Sequence, residues 1–255
     1  MQVTEQQFFL FMAILVRVAA IFLSTPMFSF PGAPRITKIG FSALLALLLF
    51  PVVDATSPDF TLNLISATVL VFKEILTGVT IGVVLNFLFA GFQLAGEYVG
   101  TDMGLSIAQE FDPNLQQQVS VIGRLQNILA VLIFLLIDGH HFVIEALAYS
   151  YRVLPLGTWH LSGGALQIIM RLSAQVFIIG IKVAAPGIVT LFLTSVIMGI
   201  IAKAVPQMNI FFVGFPLRIF VGLASLTIGF PLFIYLFKNL MLNFENNVTS
   251  LLRMM

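Results

Sequence analysis

The chain contains 255 residues, of which 59% are hydrophobic and 9% are charged. Soluble domains carry roughly 25% charged residues, so this composition excludes an ordinary protein whose whole surface faces water. The net charge of +1 gives no field that would attract nucleic acid, and the absence of cysteine excludes disulfides and thiolate metal sites. We therefore expect a surface that faces lipid, other protein chains, or both.

Six apolar segments are long enough, or nearly so, to cross a bilayer, which takes about 20 helical residues. They lie at residues 8–27, 39–53, 64–96, 125–148, 166–202 and 209–241. Blocks such as FSALLALLLF lack the strict alternation that is typical of a membrane β-strand. We predict an all-α integral membrane protein with about six apolar helical segments, forming a single domain over residues 1–255.

Prolines and charges interrupt the later segments. The fifth segment contains Pro186, and the stretch KAVPQMNIFFVGFP at 203–216 carries two prolines and an asparagine. Irregular backbone at membrane depth must find protein or water partners for its polar groups. We therefore expect broken or hairpin-like helices in both places.

Among the charged residues of the apolar segments, six are singled out, because a central charge facing lipid costs about 2.5 to 3.5 kcal/mol. They are Arg17, Lys73, Glu74, Arg171, Lys182 and Arg218. In the fifth segment, Arg171, Gln175 and Lys182 share one helix face. Arg171 and Lys182 either extend to the bilayer edge or join a buried network between helices or subunits. Lys73 and Glu74 are adjacent, so they face different directions and are not expected to pair.

Glycines recur at a spacing of four residues, which aligns them on one face of a helix. One pair is Gly78 and Gly82, and a second row is Gly96, Gly100 and Gly104. Such a row lets another backbone approach closely, either within one subunit or between subunits. The sequence leaves both possibilities open.

The composition changes abruptly at about residues 105–123, which read LSIAQEFDPNLQQQVSVIG. This polar stretch cannot lie in lipid. It is either a solvated surface loop or a polar insert inside an assembly, where glutamine amides form displaceable hydrogen bonds. Its candidate gating residues are Ile107, Gln109, Glu110, Phe111, Asp112, Pro113, Asn114, Leu115, Gln116, Gln117 and Gln118.

Catalytic and metal-binding signatures are weak. His140 and His141 follow Asp138-Gly139, and Glu145 lies four residues beyond His141, so two ligands could share a helix face. The sequence offers no evident third and fourth ligand for them. We therefore expect interfacial histidines, no enzyme activity, no cofactor and no metal site.

Four blocks of the sequence resemble the FliR/SctT family of type III secretion export-gate proteins. They are Arg17 with STPMFSFPGAPRITKIG at 24–40, KEILTGVTIGVVLNF at 73–87, AGEYVGTDMGLSIAQEFDP at 95–113, and APGIVTLFLTSVIMGIIAKAVPQMNIFFVGFPLRI at 185–219. The last block, with Pro206 and VGFPLRI, is the most specific. It resembles the flagellar branch of the family more than the injectisome branch.

This resemblance implies a core component of the flagellar export gate in the bacterial inner membrane, at the basal body. FliP-like and FliQ-like subunits, together with an FlhB-like subunit, would be its partners, and unfolded flagellar subunits its cargo. The resemblance also implies hairpin helices that face sister subunits, and a plug at about residues 105–124. The charged residues, Gln175, the five glycines and Pro206 then become candidates for packing between subunits. A small-solute transporter or channel is the alternative.

Overall fold

A computed structural model describes residues 5–25, 34–51, 53, 64–105 and 120–255 of the chain. The regular secondary structure within these residues is all helix, joined by turns. The helices are α1 (Glu5–Ser24), α2 (Arg35–Leu49), α3 (Leu64–Asp102), α4 (Val121–Leu136), α5 (Gly139–Val153), α6 (Gly163–Ala204) and α7 (Ile210–Met254). The predicted all-α class is confirmed.

Four helices in the described part of the chain are long and apolar enough to cross a membrane. Their apolar stretches are Gln7–Ser24, Ile65–Asp102, Gly163–Ala204 and Phe212–Met254, and the bent pair of α4 and α5 would make a fifth span. α2 is shorter. The predicted integral membrane protein is therefore confirmed, with spans that differ in detail from the apolar segments of the sequence.

One predicted continuity and one predicted break were wrong. The segment 125–148 is not one helix, because Asp138 adopts a left-handed conformation (φ 58°) and separates α4 from α5. Conversely, Pro186 lies inside an unbroken α6, and Pro216 and Pro231 lie inside α7. Proline frees one carbonyl in such a helix, and tight packing of the neighbouring turn can hold the helical path. The break predicted within 203–216 is confirmed as the turn at residues 205–209.

The chain divides into two compact units. The first comprises Met1–Phe87, Phe134–Ser173 and Leu242–Met255, and the second comprises Leu88–Ile133 and Ala174–Met241. The core of the second unit includes Ala95, Val99, Met103, Ile122, Ala184 and Leu191. Phe92 adds ring contacts with Phe233 and Phe237 at centroid distances of 4.7 and 5.1 Å. The single domain predicted for the whole chain stays a prediction.

Candidate functional site

A buried ion pair joins α1 to α3 in the first unit. Arg17 Nε donates a hydrogen bond to Glu74 Oε2 at 2.5 Å, and the two side chains are only 1% and 0% exposed. Charges in such surroundings are tolerated only when they are paired and hydrogen-bonded. Arg17 and Glu74 therefore find their partners within one chain, which satisfies the sequence requirement that neither faces lipid.

The same guanidinium also reaches the end of α5. Arg17 Nη1 donates to Ser150 Oγ at 3.3 Å and to the carbonyl of Leu154 at 3.1 Å. The guanidinium carbon lies 4.3 Å from the centre of the Tyr151 ring, which adds a cation–π interaction. Tyr151 in turn donates to the carbonyl of Ile14 on α1, at 3.1 Å. One arginine thus holds three helices in register.

Lys73 and Glu74 hold the turn that follows α5. Lys73 Nζ donates to the carbonyl of Gly157 at 2.9 Å, and the Gly157 amide donates to Glu74 Oε1 at 2.8 Å. Thr158 N–H closes the turn on Pro155 O at 3.2 Å, with Gly157 at φ 77°. A side chain is strained at that φ, so glycine is required. As the sequence predicts, Lys73 and Glu74 do not pair with each other in the described structure.

The first glycine pair lies against α1. A Cβ on Gly78 would come within 2.6 Å of Ala20 Cβ and 2.7 Å of Arg17 O, and one on Gly82 would overlap Ser24. These two glycines therefore allow α1 and α3 to pack closely around the Arg17 ion pair. A contribution to packing between subunits stays a prediction.

The second row of glycines packs within the second unit. A Cβ on Gly96 would lie 2.6 Å from Gly123 Cα and 2.7 Å from Ile122 O, and one on Gly100 would overlap Ser120. Gly91 is equally tight, since its Cβ would lie 2.8 Å from Ile179 Cβ on α6. Sequence reasoning missed Gly91 because it lies outside the four-residue spacing.

Gly104 does not belong to the helical row that its spacing predicted. α3 ends at Asp102, and Gly104 follows with φ 84°. Its amide donates to Thr101 O at 2.9 Å, and the Leu105 amide donates to Gly100 O at 3.1 Å. These two bonds form a Schellman motif, in which glycine is favoured because of its positive φ. Gly104 therefore terminates α3, immediately before the polar stretch.

The polar residues of the fifth apolar segment are distributed along α6. Arg171 is exposed and donates to Asn247 Oδ1 on α7 at 3.1 Å. Gln175 is half-buried, and Lys182 is exposed with no acidic partner among the residues that the structure describes. Pro206 lies in the turn between α6 and α7, and Arg218 is half-buried on α7. In the described structure no hydrogen bond or ion pair of Arg17 involves them, and their packing role stays a prediction.

The candidate gating residues lie outside the described part of the chain. All of them, from Ile107 to Gln118, fall between Leu105 and Ser120, which are the nearest described residues on either side. Their role as a plug or gate stays a prediction.

The family model described as "Bacterial export proteins, family 1" matches residues 8–244. The chain belongs to this family. Among curated relatives, the "Flagellar biosynthetic protein FliR" of Pectobacterium carotovorum subsp. carotovorum is 36% identical over 85% of this chain and 82% of its own. The FliR proteins of Bacillus subtilis (strain 168) and Escherichia coli (strain K12) are each 30% identical, over 90% and 91% of this chain and 89% and 90% of theirs.

Membership in this bacterial export family confirms the resemblance to FliR, and it identifies a flagellar export component of the membrane. Such a component serves in transport rather than as an enzyme. Two of the blocks that carried the resemblance have clear structural roles. The block at 73–87 supplies Lys73, Glu74, Gly78 and Gly82 to the first unit, and the block at 95–113 supplies Gly96 and Gly104 to the second.

Sequence reasoning missed Ser150, Tyr151 and Gly157, which complete the Arg17 network. Serine, tyrosine and glycine are common residue types, and these three residues follow the apolar segment 125–148 without any distinctive motif. A helix-ending Leu-Pro-Leu-Gly turn is the signal that could have singled out Gly157, since glycine is favoured at the third position of a type II turn.

Proposed function

We propose that this chain is a core component of the flagellar export gate. It forms, with FliP-like and FliQ-like subunits, the channel through which unfolded flagellar subunits cross the bacterial inner membrane. An FlhB-like subunit contacts this assembly at the basal body. The proposal joins the family membership to one physical observation, which is the length of the apolar surface on α6.

The exposed apolar face of α6 is longer than a bilayer can cover. Large exposed apolar side chains run from Leu166 to Ile200, a distance of about 51 Å at 1.5 Å per residue. The hydrocarbon core of a bilayer is about 30 Å thick. A helix tilted by 40°, the upper end of the usual range, is covered over only about 39 Å. Lipid therefore leaves part of this face exposed to water.

α7 leads to the same conclusion. Most of its exposed large apolar residues lie between Phe212 and Leu242, or about 45 Å along the helix. Exposed apolar surface of this size outside lipid marks a protein interface. Partner subunits that cover the excess length are what a gate component requires, whereas a transporter that works alone would bury this surface itself.

Co-expression tests the proposal. The chain carrying an affinity tag should retain FliP-like and FliQ-like subunits through detergent purification, and native mass spectrometry should give one defined complex. Expressed alone, the chain should be recovered in low yield or aggregated. The gene should also restore swimming to a bacterium that lacks its own FliR. A monodisperse chain that folds alone and retains neither partner would contradict the proposal and favour the transporter.

Lys182 provides a local test of the interface. An exposed cation on the apolar α6 face is stabilised in the assembly only by a partner charge or by water. We expect Lys182→Met to reduce complex recovery less than Lys182→Glu, because the glutamate places a like charge against a fixed acidic partner. Recovery of the co-expressed complex and export of hook subunits are the measurements. Equal results for the two variants would show that Lys182 is solvated.

The polar stretch provides a test of gating. A closed gate must block ions, yet yield to an unfolded chain, and hydrogen bonds worth about 0.5 to 1.5 kcal/mol each suit such a seal. We expect deletion of residues 109–118 to leave the complex assembled but leaky, with leak increased more than export is reduced. Membrane conductance and sensitivity to a small toxic solute measure the leak. An assembled deletion complex as tight as the parent would identify the stretch as a surface loop.

A further inference from the structure

Three potential metal ligands converge at the bend between α4 and α5. Each of Asp138, His140 and His141 offers one ligand atom, and these atoms all lie within 4.8 Å of one another. Asp138 Oδ1 is 3.6 Å from His141 Nδ1, and the two imidazole rings are 4.2 Å apart between centroids. The structure therefore supplies the third ligand that the sequence analysis did not find, and it is Asp138 rather than Glu145.

The backbone of the bend fixes this arrangement without using the side chains. Asp138 N–H donates to Leu135 O at 3.2 Å, and His141 N–H donates to Asp138 O at 2.9 Å. Gly139 has no room for a side chain, because a Cβ there would overlap the ring of Phe134. The sequence Asp138-Gly139-His140-His141 thus places one carboxylate and two imidazoles at a rigid turn.

The side chains themselves remain available for coordination. Asp138 occupies the N-cap position of α5, where aspartate usually accepts a backbone N–H, yet its side chain makes no capping bond. His140 Nδ1 is buried and has no hydrogen-bond partner in the described structure. Asp138 and His141 are well exposed. An imidazole with an unpartnered ring nitrogen and a carboxylate that caps no backbone amide, within one cluster of three potential ligands, point to a bound ion.

We propose that Asp138, His140 and His141 bind a zinc-class transition metal ion, with water completing the coordination. Two imidazoles and one carboxylate are a ligand set that zinc uses, and zinc ligands stand about 3.3 Å apart around the ion. The side chains of Asp138 and His141 are exposed, so they have room to rotate toward that spacing. Magnesium and calcium prefer oxygen ligands, so a site with two imidazole nitrogens disfavours both ions. The bound ion would tie the bend to the first turn of α5.

The positive end of the α5 dipole lies at this turn and opposes a cation, so the negative charge of Asp138 is a necessary part of the site. This requirement separates the metal site from a simple Asp138–His141 ion pair. An ion pair exists without metal and gives no reason for His140 to respond to zinc.

Metal titration of the purified chain or complex tests the site. The protein should carry an affinity tag that contains no histidine, and chelator should remove bound metal first. Calorimetric titration should then give one zinc ion per chain, without competition from magnesium. His141→Ala, His140→Ala and Asp138→Asn should each weaken binding by about tenfold or more. Asparagine tolerates the left-handed conformation at 138, so that variant tests the charge without disturbing the bend.

His160 is the matched control, because it is the third of the three histidines and lies exposed outside the cluster. His160→Ala should bind zinc like the parent. In the unaltered protein, zinc should also protect His140 and His141, but not His160, from acylation by diethyl pyrocarbonate. This second readout needs no variant to fold. Zinc binding that survives His141→Ala, or equal acylation of all three histidines with and without zinc, would overturn the proposal. Neither result depends on whether the chain acts in export.

Discussion

Replacing Arg17 by methionine should destabilise the folded chain by about 3 to 5 kcal/mol, the usual cost of removing one partner of a buried ion pair. Glu74 is fully buried, and without Arg17 its carboxylate would retain only the amide of Gly157 as a hydrogen-bond donor in the described structure. Ser150 and the carbonyl of Leu154 would also lose a donor. Glu74→Gln should also be destabilising, since its amide keeps the shape and one acceptor oxygen but leaves the Arg17 charge unpaired.

The free energy of unfolding, measured by titration with a denaturing detergent in mixed micelles, checks this prediction. Arg152→Met is the control, because Arg152 is an exposed arginine on α5 without an ion pair in the described structure. The double variant Arg17→Met, Glu74→Met should lose less than the sum of the two single variants, since no unpaired charge remains buried. A single Arg17→Met variant as stable as Arg152→Met would contradict the role of the pair.

The sequence predicted that Arg17 and Glu74 could not face lipid, but it could not pair them. Hydropathy gives the cost of a charge in an apolar segment, and that cost requires some partner. The partner itself depends on which helix faces lie together, and Arg17 and Glu74 are 57 residues apart in the chain. The prediction that Lys73 and Glu74 do not pair succeeded because it needed only the geometry of a single helix.

Helix boundaries show the same division between local and tertiary information. The bend at Asp138 was readable in the chain, because an Asp-Gly pair is a common turn signal, but the high hydropathy on both sides obscured it. Pro186 gave the opposite error, since proline usually breaks a helix. Ala184 and Gly187 on either side are buried, and a Cβ on Gly187 would lie 2.8 Å from Val99 Cγ2. Such packing supports the continuous helix around Pro186, and only the folded chain provides it.

Glycine spacing predicted close packing, but not the surface that each glycine packs against. Gly78 and Gly96 have the same spacing signal, yet the first lies against α1 and the second against α4. Gly104 has the same spacing and serves instead to end α3. The identity of a neighbouring surface is a tertiary property, so a spacing rule finds the face and leaves its function undetermined.

Gly96→Ala should destabilise the chain by about 1 to 3 kcal/mol, the usual cost of overpacking a close contact. The added methyl would meet Gly123 Cα and Ile122 O, which are backbone atoms of a helix and cannot rotate away. Gly199→Ala is the matched control, because Gly199 also lies inside a helix, is exposed, and has nothing within 4 Å of an added Cβ.

The two variants should change stability in opposite directions. Alanine favours a helix over glycine by up to about 1 kcal/mol, so Gly199→Ala should be neutral or stabilising. The same gain in helix propensity applies at position 96, where the steric overlap of the added methyl opposes it. The difference between them therefore isolates the contact between α3 and α4. Unfolding in mixed micelles measures it for the small soluble fraction of the chain expressed alone, which separates packing within the chain from assembly with partners. If Gly96→Ala is as stable as Gly199→Ala in the isolated chain, but fails to form the complex, the glycine acts between subunits instead.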